Sequence, residues 1–113
     1  LVDEDSRPGG RLLAERREID GRPAADWAAQ ALAELASMPE VRILPRTTLF
    51  GVYDHGSYGA VERVSDHLAV PPAHTPRQRL WRIRAGQVVT ATGALDRGNA
   101  ARTPARSRTS RAA

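Results

Sequence analysis

Hydrophobic positions recur most regularly between residues 23 and 38. Trp27, Ala31, Leu35 and Met38, with Leu32 beside them, follow one another at spacings of three and four, while Asp26, Gln30 and Glu34 fall largely outside that stripe. This spacing predicts a helix over residues 23–37 packed on a sheet. Pro23 suits the first helical turn, where a missing N–H costs nothing. Pro39 restricts Met38 to extended backbone and ends the helix. Upstream the pattern is weaker. Leu1 and Val2 read as the last apolar residues of a strand running into the acidic turn Asp3-Glu4-Asp5. Residues 6–10 are a loop by their proline and glycine content, and Leu12, Leu13 and Ile19 suggest a short helix.

Downstream of the helix the pattern turns to strands. Residues 41–44 read as a strand that continues past Pro45 through Thr47 to Tyr53 by β-branched and aromatic residues. Asp54, His55, Gly56 and Ser57 carry turn chemistry. Residues 58–67 return as a second strand, with a helix as the competing reading for 60–64. Residues 71–76 are a loop. Alternation over 79–84 predicts an exposed strand with one apolar face, and residues 87–91 form a short apolar strand ending in Thr92-Gly93-Ala94.

Charge divides the chain. All 17 basic residues are arginine; residues 1–96 hold 12 of them against 13 acidic residues, and residues 97–113 hold five with no acid. The high pI therefore belongs to the tail, and a basic surface over the whole molecule, as a nucleic-acid binder needs, is absent. The tail has no large apolar residue and cannot offset its ordering entropy, so residues 98–113 are expected to be disordered. Without cysteine there is no disulfide framework, thiol chemistry or Cys-based metal site. No apolar run approaches the length of a membrane span, and the first residues are no signal peptide, so a cytoplasmic location is expected. The chain lacks an initiator methionine and opens at what reads as a strand end, as expected of a piece of something longer.

The element order is strand, acidic turn, Gly-Gly loop, helix, strand, antiparallel excursion, then strand. An acidic residue at the end of a second Rossmann strand accepts hydrogen bonds from an adenosine ribose, because a carboxylate offers two acceptor oxygens. Asp3 directly follows the apolar run and is the first candidate, with Glu4 the alternative. Gly93, without a Cβ, lets backbone approach a cofactor; a simple turn after a strand is the plainer reading.

Three phrases, "LVDEDSRPGGRLL", "TTLFGVYDHGSYGAVERVSDHL" and "PRQRLWRIRAGQVVTATGAL", resemble the alpha subunits of heterotetrameric sarcosine oxidases, over about residues 1–97. Residues 76–95 and 52–55 are the specific part. The resemblance implies an α/β fold: a partial Rossmann-like FAD/NAD(P)-binding domain over residues 1–97 with an antiparallel β excursion, followed by the disordered tail 98–113. It implies NAD in the intact subunit, with FAD and FMN elsewhere in the parent complex, and beta, gamma and delta subunits as partners. The parent complex would oxidatively demethylate sarcosine to glycine, reduce oxygen to hydrogen peroxide and pass the one-carbon unit to tetrahydrofolate. Carried over by position, Asp3 or Glu4 would meet the adenine ribose, backbone near Leu49 would approach the adenine, and Thr92, Gly93 and Ala94 would line the crevice. None of them breaks bonds; that chemistry belongs to the cofactors. The family's G-x-G-x-x-G loop, which seats the pyrophosphate at a helix N-terminus, has no counterpart here, so the isolated chain is expected to be inactive and to bind NAD poorly. After Asp96-Arg97 the sequence departs from the family, as a frameshift in a GC-rich gene would make it.

Other readings are weaker. His55, His67 and His74 are spaced by 12 and 7, which fits no helical zinc pair, so no metal site is expected. Asp54, His55 and Ser57, or Ser65, Asp66 and His67, supply the residue types of a hydrolase by local clustering only, without a G-x-S-x-G elbow. Arg102, Arg106, Arg108 and Arg111 would bind phosphate weakly and with strong salt dependence, and neither nucleic acid nor membrane is an expected partner. Arg77, Arg79, Arg82 and Arg84 would mark a partner face if the chain were a non-catalytic interaction remnant; a charged, solvated sheet edge explains them as well. A related opine- or proline-type amine oxidoreductase is the remaining alternative.

Overall fold

The computed structural model describes residues 1–93; the expected disordered tail and Ala94 lie outside them. One helix, α1 (Ala24–Ser37), and two antiparallel sheets make up an α/β arrangement: a two-residue hairpin, β1 (Glu18–Ile19) with β2 (Arg22–Pro23), and a three-stranded meander of β3 (Thr47–Tyr53), β4 (Ser57–Arg63) and β5 (Gln78–Arg84). Residues 1–3 run parallel to residues 42–44. Leu44 N donates to Leu1 O at 2.8 Å and Asp3 N to Leu44 O at 3.0 Å, around the Val2–Leu44 bridge.

The helix forms nearly where the periodicity puts it. Pro23 is its N-cap, with extended backbone, and Met38 ends it, also extended. The predicted stripe is covered and extended by two alanines: Ala31, Leu32, Leu35 and Met38 are half-buried and Ala24 and Ala28 buried, while Trp27 is the open member at 37%. The chain at Gly9 comes close to Ala28: a Cβ there would meet the Leu13 side chain at 2.9 Å and the Ala28 methyl at 3.5 Å. Leu12 and Leu13 belong to a single 3-10 turn, Gly10–Leu13, whereas Ile19 falls in β1.

Two strand expectations need correction. The continuous strand from 41 to 53 is broken at Pro45-Arg46, where Arg46 takes a left-handed φ of 52° and turns the chain out of the parallel pair into the meander. Residues 87–91 form no strand. Val88 and Val89 are 47% and 92% exposed, and no backbone hydrogen bond joins this segment to the other described residues. A run of β-branched residues becomes a strand only when it pairs with an edge that offers donors and acceptors, and among the described residues this segment pairs with none.

The meander fits its expectation closely. β4 is a strand and not a helix, ending at Arg63, and β5 begins at Gln78. The row Leu49, Ala60 and Trp81 crosses the sheet, with Ala60 fully buried, Trp81 half-buried and Leu49 exposed. The β3–β4 loop places His55 and Gly56 at positive φ. Glycine is required at 56 because a Cβ would collide with the Ala85 carbonyl, whose own amide donates to Gly56 O at 2.9 Å. The β4–β5 connection is closed at its neck. The amides of Val64, Ser65 and Asp66 all donate to Arg77 O at 2.9–3.2 Å, and the buried Ser65 hydroxyl donates to Pro76 O at 2.9 Å.

Candidate functional site

The acidic turn after the first segment is the most tightly organised polar feature at the end of the parallel pair. Asp3 O accepts Thr47 N at 2.8 Å, Asp5 O accepts Arg46 N at 2.9 Å, and Arg63 Nη2 donates to Glu4 O at 2.8 Å. The turn is thus held by the break at Arg46 and by the end of β4. Within it the Asp3 carboxylate closes an Asx turn: Oδ1 accepts Asp5 N at 2.9 Å. Oδ2 has no hydrogen-bond partner among the described residues. Asp3 is half-buried and Glu4 exposed, and neither takes part in an ion pair among the described residues. Chemically the turn presents one carboxylate oxygen oriented by the Asx turn and a second, exposed carboxylate at Glu4, a set suited to accepting hydrogen bonds from vicinal hydroxyls.

The remaining candidates are dispersed. Leu49 lies in β3 opposite Ala60, 45% exposed. Thr92 and Gly93 lie in the coil beyond β5 and are exposed; Gly93 has a φ of 65°, and a Cβ on it would meet nothing within 4 Å. Its glycine therefore serves a backbone conformation and no close approach within the chain. No hydrogen bond among the described residues links 92 or 93 to the acidic turn.

The local hydrolase clusters are built for structure. Ser65 is spent on the Pro76 carbonyl, and Asp66 accepts Gln78 Nε2 at 2.8 Å and lies 3.7 Å from Arg77 Nη1. Nothing hydrogen-bonds the side chains of Asp54, His55 and Ser57 to one another. Arg77 and Arg79 are likewise engaged, Arg79 with Glu62 at 3.1 Å.

A polar cluster was missed from sequence. Glu62 Oε2 accepts Trp81 Nε1 at 2.7 Å as well as Arg79 Nη1, and the guanidinium groups of Arg42 and Arg79 lie 5.5 and 5.8 Å from the Trp81 ring centroid. It ties the second parallel segment to the meander. The signal was present as Glu62 facing Arg79 once β4 and β5 are paired through their loop, with Trp81 two residues on and on the same face.

No family model matches the chain. Curated proteins do. The segment is 55% identical over 97 residues to the sarcosine oxidase subunit alpha of Rhizobium meliloti (strain 1021). This chain is homologous to sarcosine oxidase alpha subunits. Two corynebacterial alpha subunits, from Corynebacterium sp. strains P-1 and U-96, are 46% and 43% identical over 99 residues. Each match takes in 86% of this chain and 10% of the relative, so the chain spans about a tenth of the length of the sarcosine oxidase subunits it matches. Their name places such subunits in an oxidoreductase of several subunits. No helix among the described residues is long and apolar enough to cross a membrane.

Proposed function

We propose that residues 1–97 form part of the NAD-binding crevice of a sarcosine oxidase alpha subunit, in a partial Rossmann-like domain. The observation that carries this reading is the parallel pairing of residues 1–3 with 42–44 across helix α1, with Asp3 at the end of the first segment. Two extended segments joined in parallel through a single bridge, on either side of a helix and with a carboxylate closing the first, resemble the arrangement in which a Rossmann strand end receives an adenosine ribose. The homology to sarcosine oxidase alpha subunits supports the same assignment.

The residues present fit only one end of the dinucleotide. Asp3 Oδ2 is an open acceptor, with Glu4 beside it, whereas the described residues hold no glycine-rich loop leading into a helix to seat a pyrophosphate. When bound, NAD supplies hydride-transfer capacity; this chain's part is to hold the ribose and exclude a 2′-phosphate by charge. Thr92, Gly93 and Ala94 would line the far side, and backbone at Leu49 the adenine. In the parent assembly FAD and FMN would carry the oxidation of sarcosine to glycine and the formation of hydrogen peroxide, with beta, gamma and delta subunits completing the enzyme in the cytoplasm.

The test is a chimera in which residues 1–93 replace the matching segment of the Rhizobium meliloti alpha subunit. The chimera is expected to carry NAD, released by acid and identified chromatographically. Asp3→Ala should weaken retention by about 10- to 100-fold, as loss of a hydrogen bond to a charged group does. A correctly folded chimera without nucleotide refutes the reading. Calorimetric titration of the 113-residue chain alone should give no binding tighter than about 1 mM, and micromolar affinity would show that the pyrophosphate cradle is not needed.

A further inference from the structure

Successive carbonyls of the acidic turn are each held by a different donor. Thr47 N reaches Asp3 O at 2.8 Å, Arg63 Nη2 reaches Glu4 O at 2.8 Å, and Arg46 N reaches Asp5 O at 2.9 Å. The first and last of these are main-chain contacts along the seam between the turn and the start of β3. Arg46 has both of its main-chain groups in that seam: at a left-handed φ of 52° its amide binds Asp5 O and its carbonyl accepts Arg63 N at 2.9 Å. The Glu4 carbonyl alone is held by a side chain, and that side chain belongs to the last residue of β4, 59 positions along the chain.

What gives this contact its consequence is the peptide group it grips. Glu4 O and Asp5 N are the two ends of one planar unit. Asp5 N donates to Asp3 Oδ1 at 2.9 Å, so the guanidinium holds one end of the peptide whose other end orients the Asp3 carboxylate. The cation also polarises the carbonyl, which strengthens the N–H as a donor to that carboxylate. Arg63 forms no ion pair among the described residues, whereas its neighbour Glu62 is bound to Trp81 and Arg79. The main-chain bond from Arg63 N to Arg46 O keeps the arginine at the seam.

We propose that Arg63 is a positioning residue for the Asp3 carboxylate, acting through the Glu4–Asp5 peptide, and so sets how strongly the site distinguishes a ribose with its 2′-hydroxyl from one without it. The proposal rests on the reading of Asp3 as a ribose acceptor. Arg63 touches no nucleotide in this role. A carboxylate held in one orientation spends no ordering entropy when the hydroxyl arrives, and one that swings must spend it. Loss of Arg63 therefore weakens the hydroxyl's share of the affinity and leaves contacts elsewhere along the nucleotide as they were.

The experiment uses the assembled Rhizobium meliloti enzyme carrying residues 1–93 of this chain in its alpha subunit. Stripped of nucleotide, it is dialysed to equilibrium against NAD or against the analogue lacking the adenosine 2′-hydroxyl. The unsubstituted chimera should prefer NAD by about tenfold or more, as a hydrogen bond to a charged group provides, and Asp3→Ala should abolish the preference. Arg63→Met should cut the preference by at least about threefold while affinity for the analogue stays within about twofold, a coupling ordinary for one hydrogen-bond network. Arg63→Lys keeps a cationic donor and should restore most of the preference. Combined with Asp3→Ala, Arg63→Met should lower it no further. If the methionine variant does not assemble, Arg63→Gln, a shorter neutral donor, is read by the same ratio. A preference undiminished in Arg63→Met, an equal loss for both nucleotides, or a preference that survives Asp3→Ala overturns the assignment. A chimera that binds both nucleotides alike, or neither, overturns the ribose reading and this assignment with it; an undiminished preference in Arg63→Met alone leaves the ribose reading standing.

Discussion

Removing the Glu62 carboxylate should cost the meander more than any other single surface acid. Its side chain is 18% exposed and its Oε2 receives both Trp81 Nε1 and Arg79 Nη1. In Glu62→Ala the indole N–H loses an acceptor in a part-buried position, a loss of about 1.5–3 kcal/mol for a hydrogen bond to a charged group. The Arg79 pair adds little, since the arginine is 48% exposed and solvent screens it; about 0–1 kcal/mol is the usual range. A total near 2–3 kcal/mol follows. Glu62→Gln keeps an oxygen for the indole and should retain most of that stability, losing about 1 kcal/mol. The assay is urea unfolding followed by Trp81 fluorescence in a Trp27→Phe background, which leaves one reporter at the site. A cost below about 0.5 kcal/mol for the alanine variant, or equal costs for alanine and glutamine, would show that the indole hydrogen bond contributes nothing.

Three further outcomes follow from local geometry. Gly56→Val should destabilise by about 2 kcal/mol or more, because the residue is left-handed and its Cβ would strike the Ala85 carbonyl; thermal melting checks this, and an unchanged midpoint would mean the hairpin relaxes freely. Ala28→Leu should cost about 1–3 kcal/mol by overpacking against the loop at Gly9; an unchanged urea midpoint would contradict the burial of that helix face. Asp3→Ala should lose about 1 kcal/mol through its Asx turn, measurable as faster amide exchange at Asp5.

Much of the architecture was legible because it is locally determined. Pro23 and Pro39 bracket α1, and the alternation over residues 79–84 needs only its own period to announce β5. What escaped depends on neighbours. The stripe from Ala31 to Met38 was legible by its period, but its extension through Ala28, beside the chain at Gly9, depends on a tertiary neighbour. Residues 87–91 have strand composition but pair with no other described segment. The break at Arg46 was hidden because Pro45 tolerates extended backbone on either side. Of the candidate site, Asp3 could be placed by its position after an apolar run, whereas a relation between the acidic turn and Gly93 needs tertiary geometry that no local spacing encodes. The Glu62–Trp81 cluster spans 19 positions and becomes visible only through strand register.

The pinched neck between β4 and β5 has a practical use. Three amides converge on Arg77 O and the Ser65 hydroxyl closes on Pro76, so the ends of the intervening segment are fixed independently of its middle, where Val70 is 85% exposed. Lengthening a loop whose ends are already anchored adds only slowly to its closure entropy. An epitope or a small fluorescent module spliced in near Val70 should therefore ride on the sheet as a handle, leaving strand pairing on both sides undisturbed.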